Sequence, residues 1–165
     1  MKTIRILLVI LSLGFISCER IEQAQPEYAH LEDWQYWSIE TDWVLGDQVL
    51  FFINEYRLQQ GLPNLIKDPN LPSALATQHS NYMISQGFIS HDGFSDRAKL
   101  LNNNGAVAVG ENVAFGYEDA YEVVTAWINS PSHRDTLEGN YTHAGLGIRK
   151  DVFGTNYFTL ILIRK

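Results

Sequence analysis

The sequence predicts an α+β domain of layered type, on three observations. Apolar residues recur at helical spacing through several segments after residue 41. Two β-rich runs joined by a turn close the chain. Its 165 residues, 45% of them hydrophobic, suffice for one core and are too apolar for a mostly disordered chain. From Asp42 to Gln60, Leu45, Val49, Phe52, Ile53 and Tyr56 fall at three- and four-residue steps, an amphipathic helix that Gly61 stops. A second helix opens at Asn70, a good N-cap residue, and runs through Leu71, Ala74, Leu75, Gln78 and Tyr82 to Gly87. A short helix follows from Ser95 to about Leu101, closed by Asn104-Gly105. Another spans about Glu118 to Asn129 and buries Val123, Val124 and Trp127. The runs Ala144–Arg149 and Tyr157–Ile163 flank the turn-rich Asp151–Asn156 and read as a hairpin. The apolar second strand implies a sheet covered by helices.

A single cysteine excludes an internal disulfide framework and any multi-cysteine zinc or iron–sulfur site. A net charge of −7, with only 12 scattered Lys and Arg, argues against a nucleic-acid partner. The acidity is local. Residues 19–47 hold eight acids against Arg20 alone, whereas residues 48–165 hold eleven acids and nine bases.

Residues 1–17 combine Lys2 and Arg5 with the apolar run Ile6–Ile16. Eleven helical residues rise roughly 16 Å, too little for the ~30 Å hydrocarbon core, so the segment reads as a signal peptide rather than a spanning anchor. Cys18 stands directly after Ser17, a placement that resembles the lipobox of bacterial lipoproteins, with Cys18 lipidated as the mature N-terminus. Phe15 and Ile16 replace the usual Leu and small residue, so the fit is loose. An incidental cysteine in a cleaved leader is the plainer alternative, and either way the protein is exported. Residues 18–41 follow as an acidic stem; Trp34 and Trp37 suggest that its later part folds back on the domain, which occupies residues 42–165.

Five histidines are present. His30 lies in the stem, and His79, mid-helix among polar neighbours, reads as surface or structural. His91 sits in the loop Gly87–Gly93, His133 in a capped turn after a helix, and His143 just before the first tail strand. Between His91 and His133 lies Gly110-Glu111-Asn112-Val113-Ala114, a carboxylate in a small-residue stretch that permits close backbone approach. Spacing alone does not assemble these residues into one site.

Their order and context do. Ile53-Asn54-Glu55-Tyr56-Arg57, Gly61-Leu62, Ala74 to His79, Ser90-His91, Gly110-Glu111-Asn112, Trp127 through Ser130-Pro131-Ser132-His133-Arg134 and Ala144-Gly145-Leu146-Gly147 together resemble the CAP superfamily over about residues 44–163. That superfamily comprises cysteine-rich secretory proteins, insect antigen 5 and plant pathogenesis-related proteins, with many bacterial members. The resemblance implies an α-β-α sandwich with a central antiparallel sheet and an open cleft lined by two histidines and acidic residues, able to hold Zn²⁺ or Mg²⁺ in some members. It places His91, Glu111 and His133 in that cleft. Two neutral imidazoles suit Zn²⁺ better than Mg²⁺, while Glu111 could orient an imidazole or act as a base on bound water.

Asn112, Glu122 and Ser130 are further cleft candidates. Animal members carry a second cleft glutamate where Ser130 stands here; Glu122 is the nearest substitute, although a helix position there is more simply solvent-facing. The missing carboxylate weakens the expected hold on a metal, and the family's disulfides are absent. Arg134 and Tyr121 could line the cleft or merely cap and pack. No nucleophile sits in a recognisable motif, so enzymatic turnover is not the favoured expectation. The expected partner is a small molecule, lipid-like in some family members, or a component of the envelope, with the membrane reached through Cys18. A zinc-assisted hydrolase using His91, His133 and Glu111, and a purely structural envelope module, are the rival readings.

Overall fold

The computed structural model describes residues 40–165. The expected leader 1–17, Cys18, His30, Trp34, Trp37 and the stem up to residue 39 lie outside the described residues.

Helix α1, Trp43–Gln59, starts at Asp42, whose side chain accepts from the N–H of Leu45 at 3.1 Å. It buries Leu45, Val49, Leu50 and Ile53 along one stripe. Arg57, fully buried at its end, donates to the carbonyls of Pro63, Leu137 and Gly139. Strand β1, Ile66–Lys67, precedes helix α2, Leu71–Gln86, which ends on Gly87 in the left-handed conformation. Helix α3 is Phe94–Asn103, strand β2 Ala108–Phe115, helix α4 Ala120–Asn129 and helix α5 Pro131–Leu137. Strands β3, His143–Lys150, and β4, Asn156–Arg164, form the expected closing hairpin.

The sheet order is β1-β3-β4-β2. The three long strands are antiparallel, as expected, while the two-residue β1 adds a parallel edge to β3 that the sequence did not announce. Successive strand residues point to opposite faces. On β4, Phe158, Leu160 and Leu162 join α1, α4 and α5 in one core, and Ile161 and Ile163 join α2 and α3 in the other. The result is an α-β-α sandwich whose central strand is buried on both faces. Helix α2 lies hard against β3 at Gly145 and Gly147, and Ser73 and Ser80 tie it down through Leu146 N–H and the Gly147 carbonyl.

Two elements were not among those expected. The stretch around Glu111 is β2, paired with β4 over eight residues, and the capped turn around His133 is the short helix α5. Thr41, the last residue of the expected stem, packs against the sheet. Thr41 is buried, donates to the Leu146 carbonyl and accepts from the Ile148 N–H, closing the part of the β3 edge that β1 does not reach.

Candidate functional site

Among the described residues strand β2 is one edge of the sheet, and alternation along it separates its two central polar residues. Glu111 points toward the α2–α3 layer and Asn112 toward the α4–α5 layer. His91 arrives at this edge from the first layer and His133 from the second.

Glu111 is the hub. Its side chain is 1% exposed, and the Arg97 guanidinium grips it as a fork, with Nε donating to Oε2 and Nη2 to Oε1, each at 2.8 Å. His91 Nδ1 lies 2.9 Å from Oε1. Held against a guanidinium, the carboxylate only accepts, so Nδ1 of this half-exposed ring carries a proton and, in the neutral imidazole, Nε2 holds the lone pair. The loop that carries His91 is clamped on both sides. Buried His79 donates from Nε2 to the Ser90 carbonyl at 2.7 Å, and Arg97 Nη1 donates to the Asp92 carbonyl at 2.7 Å. His79 also stacks on Tyr82, whose hydroxyl donates to Asp92. Burial, reinforced by the nearby Arg97 charge, lowers the His79 pKa; the Glu111 carboxylate, 3.9 Å away, opposes this. His79 is thus a neutral donor at pH 7.

On the other layer, His133 Nδ1 meets Ser130 Oγ at 2.8 Å, and the His133 carbonyl accepts from Asn112 Nδ2 at 3.0 Å. Burial, and next the repulsion that His91 exerts when protonated, lower the His133 pKa, which keeps this ring neutral at pH 7 and places the two imidazoles within electrostatic reach of each other. In the tautomer that donates from Nδ1 to Ser130 Oγ, the lone pair of His133 is on Nε2. Asn112 Oδ1 is a buried acceptor without a partner among the described residues. Trp127 donates to the Val113 carbonyl at 3.2 Å and seats α4 against β2.

The hydrogen bonds thus form two sets at one strand edge, His91 with Glu111 on one layer and Asn112, His133 and Ser130 on the other, joined through the β2 backbone at Glu111-Asn112. Glu122 is not linked to them. It is exposed in the first turn of α4, where its N–H is capped by Asp119 and its carboxylate accepts from the Glu118 N–H, in keeping with the solvent-facing reading. Arg134 caps the Ile128 carbonyl at the end of α4, Tyr121 packs edge-on to Phe52, and His143 bonds Thr142 at the far end of β3; none joins the site. His79 and Arg97 are the site residues that sequence reading missed. A usable signal existed for Arg97: it stands four residues before Leu101 on the inward face of α3, and a cation there needs a buried acid.

The side chains that could serve a zinc-type metal here are the imidazoles of His91 and His133, with Glu111 orienting His91 from behind. Glu111 itself does not fit as a ligand or a free base, because Arg97 and His91 occupy both its oxygens. Among the described residues no three His, Cys, Asp or Glu side chains are grouped to hold a metal ion.

Residues 50–162 match the cysteine-rich secretory protein family, CAP. The chain is 31% identical over 145 residues to the uncharacterized membrane protein YlbC of Bacillus subtilis (strain 168), covering 84% of this chain and 40% of that one. It is 33% identical over 105 residues to the uncharacterized protein YkwD of the same organism, covering 61% of this chain and 40% of that one. An extracellular protein containing a SCP domain from Bacillus anthracis str. Ames superposes with a TM-score of 0.62 at 29% identity, over 72% of this chain and 40% of that one. An outer surface protein from Borrelia burgdorferi gives 0.63 at 22% identity, over 71% and 90%, a likeness of fold alone. The chain spans 40% of the length of the two Bacillus subtilis relatives. Since the family match covers more than half of the sequence and the sandwich agrees with it, the chain belongs to the cysteine-rich secretory protein family.

Proposed function

We propose that this is an exported, lipid-anchored protein of the cell envelope whose His91–His133 cleft binds a small ligand or a divalent metal, zinc in preference to magnesium, without turning over a substrate. The observation that carries the reading is the state of Glu111. Neutralised by Arg97 and committed to His91 Nδ1, it orients an imidazole and has no oxygen left to activate water. Ser130 and His133 form a hydroxyl–imidazole pair, yet burial lowers the basicity of His133 and, among the described residues, no carboxylate hydrogen-bonds its ring. Both features weigh against the zinc-assisted hydrolase. A bound zinc ion would supply a Lewis-acidic position for an anionic or carbonyl-bearing ligand. The chain's own part is to keep the proton on His91 Nδ1, hold the Ser90 and Asp92 carbonyls, and keep His133 neutral.

Export and anchoring rest on the leader and Cys18, and export is supported by one similar protein described as extracellular and another described as a membrane protein. Each acyl methylene buried adds ~0.8 kcal/mol of membrane affinity, so two or three chains on Cys18 would hold the protein on a bilayer.

Calorimetric zinc titration of the wild-type chain against His91→Ala/His133→Ala is expected to show binding heat that the double variant loses. Equal heats would remove the metal site and leave the structural envelope module as the better reading. Metabolic labelling with a fatty-acid probe is expected to vanish in Cys18→Ser, and labelling that persists would overturn the anchor.

A further inference from the structure

The β3–β4 hairpin ends in two adjacent apolar side chains with almost nothing against them: Val152 is 92% exposed and Phe153 89%. Single exposed apolar residues are ordinary, but this pair forms the tip of a projecting turn. Phe115, half exposed, pairs in register with Tyr157 and rests against its ring at 5.6 Å, which puts a third apolar group at the same end of the sheet. The turn is also built rather than loose. Asp151 accepts through Oδ1 from the N–H groups of Phe153 and Thr155, both at 2.9 Å. Asp151 N–H donates to the Thr155 carbonyl, Gly154 N–H donates to the Asp151 carbonyl, and Gly154 takes a φ of +86°. Val152 and Phe153 are thus presented on a backbone that has little order left to lose on binding.

The chain's point of entry lies beside them. Glu40, the first described residue, gives its backbone carbonyl to Arg149 Nη1, and its carboxylate lies 3.3 Å from Arg149 Nη2, three residues before Val152. Any tether running through the residues before Glu40 therefore leaves the domain at this end of the sheet. The charges there, Lys150 and Arg149 against Glu40, Asp151, Glu118 and Asp119, do not make a basic patch. Among the described residues no helix is long and apolar enough to cross a membrane.

We infer that the Val152-Phe153 tip is a membrane-surface contact, in which the two side chains insert into the interfacial layer of a lipid bilayer with Phe115 behind them. Because the local charge is not cationic, the contact is apolar; it needs no anionic lipid and is insensitive to salt. It is independent of the cleft and of Cys18, and its test removes that anchor.

Cys18 is the sole cysteine, so Cys18→Ser provides a cysteine-free full chain. In that background an environment-sensitive fluorophore is placed at Val152→Cys or, at the opposite end of the sheet, at exposed Gln60→Cys. Phosphatidylcholine vesicles are added with and without a lipid-borne quencher. The label at 152 is expected to shift to the blue and be quenched from the lipid, with no change at 60. Adding Phe153→Asp should lower the vesicle-bound fraction about tenfold. No response at 152, an equal response at both positions, or a concentration-dependent blue shift without vesicles, meaning self-association, would each overturn the inference. Binding confined to anionic vesicles would overturn its apolar basis.

Discussion

Gly147→Ala is expected to remove about 3 kcal/mol of unfolding free energy, read as a fall of about 1–2 M in the urea midpoint at unchanged slope. A Cβ at Gly147 would stand 2.2 Å from the Ala76 carbonyl carbon and the Thr77 nitrogen, and one at Gly145 2.4 Å from the Pro72 carbonyl carbon. These are backbone atoms of α2, so no side chain can swing aside. The whole helix must retreat by on the order of 1 Å, which forfeits much of the dispersion contact along its length. Retreat also strains the bonds that fasten α2 to the sheet, from Ser80 Oγ to the Gly147 carbonyl at 2.9 Å and from Leu146 N–H to Ser73 Oγ at 3.0 Å. Gly46→Ala supplies the control in the same protein. Gly46 is buried inside α1, but a Cβ there meets Leu146 at 3.8 Å, ordinary contact. Relief of the glycine penalty in a helix interior then dominates, and Gly46→Ala should stabilise by about 0.5–1 kcal/mol. If both variants lose similar stability, close helix–sheet approach is not what fixes glycine at position 147.

The contrast between these glycines shows what the sequence exposes and what it hides. Ala144-Gly145-Leu146-Gly147 was readable as a strand with two small residues, and the hairpin, α1 and the Gly87 stop followed from local patterns within a residue or two of their observed limits. Strand β2 was not readable. Gly110, Glu111 and Asn112 are poor strand formers, and they are extended because β4, some fifty residues later, pairs with them along the whole strand. Helix α5, seven residues opened by Pro131, carries too few turns to show a period, and β1 has only two residues. In the site the same division holds. The residues with motif context, His91, Glu111 and His133, were identified by their order along the chain. His79 and Arg97 act through contacts made only once α2, α3 and β2 pack together, and beside polar neighbours His79 carries no local mark of burial.

That packing makes Arg97 the residue whose loss should matter most around the site. Arg97→Met is expected to destabilise by about 3–5 kcal/mol, since it leaves the Glu111 carboxylate buried with His91 as its only strong donor. Most of this is the cost of an uncompensated charge rather than the worth of the pair. Arg97→Met/Glu111→Leu should therefore recover a large share of the loss, although it removes the acceptor that holds His91. The two variants consequently separate stability from function. The double variant should unfold at a urea concentration well above that of the single one and still bind zinc more weakly than wild type, because Nδ1 of His91 no longer has a carboxylate to fix its tautomer and its ring. Denaturant unfolding and zinc titration on the same three proteins check both halves. A double variant no more stable than Arg97→Met would mean that the fork between Arg97 and Glu111 is itself a net stabilising contact. Wild-type zinc affinity in the double variant would mean that Glu111 does not position His91, and that the buried pair serves only to seat α3 against the edge of the sheet.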